Sequence, residues 1–242
     1  MQTYYLAKKA NGNGSPTTDS TSRKQELLII KLAGGFANPI GDFGSKDFES
    51  EASGLANAGL LLNASLILKF SKYFGFVFDY RYQKNAVDNE AIHQAYSSQY
   101  SSGISFSTQA TDWTSHGFFS GLYFELPLVD IKNLSFDFCL LGGLPKFESP
   151  ELNITATKNG TTINIVQNVG KTSALAFETK MGLKYKFETV ALNFGVSYFT
   201  AKPSFSGVLI QGSNGVVDYA KFQQRISSLN VEEGISFLLY HK

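Results

Sequence analysis

Tyr73–Gln83 reads YFGFVFDYRYQ, and its alternate residues suit two different solvents. Successive side chains of an extended strand point to opposite faces, so Phe74, Phe76, Phe78, Tyr80 and Tyr82 share one side and Gly75, Val77, Asp79, Arg81 and Gln83 the other. A soluble sheet would cover such an aromatic face with a second apolar layer. Neither amphipathic helices nor a second sheet to do so is obvious in the sequence. The expectation is therefore that the oily face meets lipid and the charged face looks into a closed barrel, because a strand can cross hydrocarbon only when every backbone group is paired around a ring.

The same two-faced pattern recurs along the chain. Leu27–Ala37, Ala58–Phe70, Trp113–Leu126, Leu134–Phe147, Ser173–Phe187, Val190–Tyr198 and Gln224–Tyr240 each alternate, and Tyr73–Gln83 makes about eight strands. Ser71-Lys72 and Glu188-Thr189 are tight connections. The intervening connections at 86–111, 148–170 and 204–222 are long, and Asn159-Gly160 marks a hairpin inside the second of them. Short and long links thus alternate, as periplasmic turns and outer loops do in membrane barrels, which also places both termini in the periplasm. Aromatic residues gather near the strand ends: Phe70, Tyr73, Phe124, Tyr185 and Phe187 on the turn side, and Phe36, Tyr82, Trp113, Phe147 and Tyr198 on the loop side.

Composition narrows the functional classes. A formal charge of +1, with Lys and Arg dispersed, gives no field for nucleic acid. An aromatic content of 14% suits strands and interface belts. The longest apolar run, around Leu60–Phe70, is broken by Asn63, Ser65 and Lys69 and cannot be a membrane helix. Residues 1–26 read as a flexible polar arm ahead of a barrel domain at 27–242; they lack the apolar core of the signal peptide that an exported barrel needs before maturation. Cys139 lies in an apolar strand with no neighbouring His and reads as filler.

On the strand phrases GFVFDYRYQ and MGLKYKF and on the loop rhythm, Leu27–Tyr240 resembles the small eight-stranded outer-membrane β-barrel family of Gram-negative bacteria. The resemblance implies an all-β, up-and-down antiparallel barrel that anchors surface, adhesion or envelope-stability functions. The chain departs from that family at its end, where His241 and Lys242 follow Tyr240.

The residues expected inside are Lys31, Lys69, Asp79, Arg81, Glu125, Asp137, Glu178, Lys180, Lys184 and Glu232, a plug of ion pairs filling a barrel of this size. A narrow pore is the alternative, and Lys184 and Lys186 read as solvated at the turn-side mouth. Phe74, Phe76, Phe78, Leu122, Phe136, Phe138, Phe177 and Phe194 are expected to face lipid. Glu232 and Glu233 are adjacent, so one would turn toward lipid unless a bulge near Gly234 intervenes. His93, His116 and His241 lack metal-binding spacing. Ser115 and His116 invite comparison with lipid hydrolases, but neighbours on a strand point to opposite faces and cannot form a dyad. No enzyme, cofactor, metal or nucleic-acid partner is expected. The partners are outer-membrane lipid and, through the loops at 86–111, 148–170 and 204–222, an extracellular protein or surface ligand. A soluble lipocalin-like barrel, with the Phe-rich face turned inward, is the other reading.

Overall fold

A computed structural model describes residues 26–47, 50, 52–99, 103–129 and 131–240. Its strands are β1 (Glu26–Pro39), β2 (Ala56–Lys69), β3 (Phe74–Val87), β4 (Ser105–Ala110), β5 (Trp113–Pro127), β6 (Leu134–Gly143), β7 (Lys146–Glu148) and β8 (Leu152–Lys158). They continue with β9 (Thr161–Gln167), β10 (Lys171–Ser173), β11 (Ala176–Lys186), β12 (Val190–Ala201), β13 (Ser204–Gly212), β14 (Val217–Gln223) and β15 (Ile226–Tyr240). Among the described residues the one α-helix, α1, spans Asn89–Gln99, and a single 3-10 turn covers Gly41–Phe43.

Eight staves close an antiparallel barrel in the order β1, β2, β3, β5, β6, β11, β12, β15, with β15 pairing back to β1. Closure leaves no barrel edge unpaired, which is the condition for strands in hydrocarbon. Phe76 and Phe78 are about half exposed (52% and 50%), whereas Asp79 and Arg81 are each 1% exposed. The Phe-rich rows therefore point outward and the charges inward, and the lipocalin arrangement is excluded. Phe74, Leu122, Phe136, Phe138, Phe177 and Phe194 share the outward face. The molecule is an eight-stranded antiparallel barrel of the outer-membrane type.

Several expectations are corrected. Glu26 is not part of an arm but opens β1 with its carboxylate buried; the rest of the arm, and His241 and Lys242, lie outside the described residues. The staves expected at Leu134–Phe147 and Ser173–Phe187 are each interrupted, into β6 and β7 and into β10 and β11. Pro145 has no N–H for the ladder, and the chain there passes so close to β5 that a Cβ on Gly117 would lie 2.6 Å from the Pro145 Cα. Trp113 and Phe147 do not join the outer belt. They occupy inward positions of β5 and β7 and are buried. No bulge forms at Gly234: β15 stays in register with β1 and β12, so Glu232 points inward and Glu233 outward.

Candidate functional site

Two regions gather chemistry: the barrel interior and a second sheet above its loop-side mouth. Inside, six carboxylates (Glu26, Asp79, Glu125, Asp137, Glu178, Glu232) stand among six cations (Lys31, Lys69, Arg81, Lys180, Lys184, Lys186). All the interior residues expected from the pattern are there, and the charges balance. On the turn side, Glu125 accepts from Lys184 (2.6 Å), Lys69 (2.8 Å) and the Tyr123 hydroxyl (2.9 Å) and pairs with Lys186 (2.5 Å). Glu26 pairs with Lys69 (3.2 Å) and Lys186 (2.5 Å). Contrary to the solvated reading, Lys184 is compensated by Glu125 and Lys186 by Glu125 and Glu26 together, the latter a carboxylate that the arm assignment had removed.

Midway up, Lys180 donates to Asp79 (3.0 Å) and lies 3.6 Å from Glu178, while Lys31 pairs with Glu232 (3.1 Å). Arg81 donates to Glu178 (2.9 Å) and Gln83 and stacks over Phe199, its guanidinium carbon 4.3 Å from the ring centroid. Asp137 faces the same cavity as Lys31 and Lys180. That cavity is about 20 Å³, room for about one water molecule. The geometry is that of a filled interior. Burying so many charges is tolerable because the two signs are interleaved and most of the groups are ion-paired or hydrogen-bonded; Asp137 shares a cavity with Lys31 and Lys180 without bonding to either.

The second sheet comes from the three long connections. Among the described residues, 86–111 gives α1 and β4, 148–170 gives β8 and β9, and 204–222 gives β13 and β14; the strands pair in the order β14, β13, β9, β8, β4. The β8–β9 hairpin turns at Asn159-Gly160 with both φ angles positive (49° and 79°), the backbone that favours Asn and Gly in a two-residue turn. The sheet is anchored by aromatic packing: Trp113 lies edge-on to Phe43 (centroids 5.9 Å apart) and against Phe205 (6.0 Å), which stacks on Phe222 (5.0 Å). The Trp113 indole N–H donates to the Gly54 carbonyl (2.9 Å). At the base of α1, Asp88 accepts the Ala91 N–H (3.1 Å), and this hydrogen bond, supported by Lys46 (3.2 Å), holds its carboxyl below the ordinary carboxylate range.

The two outer edges of this sheet differ. β4 is flanked by α1, and Asn89 accepts the Ala110 N–H (2.6 Å). Among the described residues β14 pairs only with β13, and Val217 and Tyr219 are well exposed on it. The Tyr219 N–H turns to the Asp218 carboxylate (2.7 Å) rather than to β13, which assigns Tyr219, and by alternation Lys221, to the outward-facing set of β14 amides. Between sheet and barrel mouth lies a cleft of about 480 Å³ lined by Ile92, Trp113, Leu152, Gln167, Phe222 and Gln224. Ser115 is buried inside while His116 lies outside, its Nδ1 3.5 Å from the Tyr80 hydroxyl, so the two remain on opposite faces.

Pattern reading missed Glu26, the Tyr123 hydroxyl and the whole outer core. The start of α1 carried one usable signal, an Asp88 cap ahead of Asn-Glu-Ala.

No protein-family model matches the chain, and no curated protein matches it. Solved structures similar to it include Neisserial surface protein A (11% identity, 88% of this chain and 97% of that chain, TM-score 0.48). The attachment invasion locus protein Ail of Yersinia pestis is similar at 10% identity, over 88% of this chain and 100% of that chain, with a TM-score of 0.44. A major outer membrane protein from Thermus thermophilus is similar at 8% identity, over 88% and 99%, with a TM-score of 0.48.

Proposed function

We propose that the protein is a non-enzymatic surface-binding protein of a Gram-negative outer membrane, with termini and short turns in the periplasm. The filled barrel serves as anchor, and the outer sheet captures an extended segment of a partner polypeptide along β14. The observation that carries this reading is the joining of three separate long connections into one sheet with its own aromatic core and an open edge. Chain entropy is spent on ordering loops, and an ordered, unpaired strand edge is a template for adding a strand. The opposed directions of Ser115 and His116 remove the one hydrolytic pair that the sequence suggested.

The test uses the full chain in lipid nanodiscs to select peptides from a displayed random library. Lys221→Pro removes an outward amide of β14 without touching the β13 ladder, and Lys221→Ala keeps it. Peptides enriched by the wild type should bind the Ala variant and lose the Pro variant. Equal binding to all three would overturn strand capture.

A second reading is favoured by the apolar cleft beneath the sheet, whose size suits a small apolar molecule. Trp113, the chain's single tryptophan, lines it, so titration of such a ligand should change its emission if the cleft is occupied. A Phe222→Glu variant should abolish that change.

A further inference from the structure

Glu233 sits seven residues from either end of β15 (Ile226–Tyr240) and points outward. Among the described residues it is the one charged side chain on the outer face between the aromatic belts, and it makes no hydrogen bond or ion pair. A carboxyl at this depth, in contact with acyl chains, lacks any group to satisfy it. Its neighbours across the two ladders are Gly34 on β1 and Phe194 on β12. Because Gly34 carries no side chain, the surface there dips into an apolar depression of about 640 Å³, walled by Leu62, Phe194, Ile235 and Phe237. A backbone exposed at a glycine permits close approach by another membrane-embedded surface, and a polar group in hydrocarbon adds a directional bond to that contact.

Two copies inserted in one bilayer have the same orientation, so a two-fold axis relating them runs along the membrane normal and each residue meets groups at its own depth. With the axis on the β1–β15 ladder, between Gly34 and its cross-strand neighbour Glu233, the two Glu233 side chains flank it at one depth and reach across it toward each other. Two carboxyls that hold a proton between them satisfy one another as donor and acceptor. We propose that the Gly34–Glu233 face is the contact through which a second copy of this chain docks in the membrane plane, with the two Glu233 carboxyls hydrogen-bonded across the axis. This inference depends on the barrel being membrane-embedded and is independent of what the outer sheet binds.

The test is disulfide trapping of the full chain in phospholipid vesicles at low protein density, with Cys139→Ser removing the native thiol. Gly34→Cys places a thiol at the proposed axis, where a Cβ would lie 3.4 Å from the Leu62 Cδ2 and is tolerated. Leu122→Cys places one outward on β5, across the barrel, as the collision control. Cross-linked dimer should form at Gly34→Cys and exceed the control by about tenfold, the scale of one or two hydrogen bonds within a membrane. Adding Glu233→Leu, which satisfies hydrocarbon without a partner, should remove that excess, and Glu233→Gln, whose amide can both donate and accept, should retain it. Retarded migration of unheated samples would confirm that each variant is folded. A chain whose Glu233 meets only lipid or a different protein cross-links equally at both positions, which overturns the proposal. So does cross-linking at Gly34→Cys that ignores Glu233→Leu or disappears with Glu233→Gln.

Discussion

Replacing Glu125 with alanine isolates how the buried charges hold the barrel. Without Glu125, Lys69 keeps Glu26 at 3.2 Å and Lys186 keeps it at 2.5 Å. Lys184 is left with the Tyr123 hydroxyl alone, at 2.7 Å. The interior changes from six carboxylates against six cations to five against six, with the surplus cation buried at 1% exposure. Breaking a buried ion pair from one side costs about 3–5 kcal/mol, so Glu125→Ala should lower unfolding stability by about that amount. Adding Lys184→Met removes the orphaned cation, restores the balance at five against five and should recover at least half of the loss. Guanidinium unfolding in phospholipid vesicles, followed by Trp113 emission and by the migration of unheated samples, measures both variants. A loss below about 1 kcal/mol for the single variant, in the range of exposed pairs, would refute the reasoning. So would a double variant no more stable than the single one.

Arg81→Lys should cost about 1–2 kcal/mol in the same assay, since an ammonium can reach Glu178 but cannot also stack on Phe199 and hold Gln83. Gly160→Val should destabilise the β8–β9 hairpin without unfolding the barrel, because a β-branched residue is strained at φ 79°; amide exchange should quicken across Leu152–Gln167 and not in β3. The depressed carboxyl of Asp88 makes α1 sensitive to acid. Its stabilisation is fully present above the ordinary carboxylate pKa and is lost as pH falls through the lower value of the folded state, so exchange protection at Asn89–Gln99 should fall at acid pH while the barrel persists. Asp88→Ala should remove that pH dependence at a cost of about 1 kcal/mol or less for a partly solvated cap.

The barrel was legible because a strand between lipid and a polar interior must alternate at period two, and hydrocarbon permits few exceptions. Asp79, Arg81, Glu178 and Lys180 could be placed on the inner face from spacing alone. Which of them bond was not legible, since Arg81 and Glu178 meet across the barrel from strands far apart in sequence. That the outer strands join into one sheet was hidden for a related reason. β4, β9 and β14 are short and flanked by water, so polar residues occur on both faces, and β9 and β13 join separate connections through a short ladder, Ile165–Gln167 with Ile210–Gly212, and the hydrogen bonds at its two ends. Trp113 shows the ambiguity of a lone aromatic at a strand end: the residue type suits a membrane belt, but its odd position in β5 turns it inward, where Phe43 and Phe205 await it. At Glu233 alternation was obeyed at the expense of a lipid-facing acid, so a bulge expected on energetic grounds did not form.

The direction of the phenylalanine rows can be read with one fluorophore. In a Trp113→Phe background, Phe76→Trp places a single indole at an outward position of β3. Reconstituted into vesicles of lipid brominated in mid-chain, its emission should be strongly quenched, while aqueous iodide should leave it unchanged. Strong iodide quenching with no response to brominated chains would contradict a barrel whose aromatic rows face hydrocarbon.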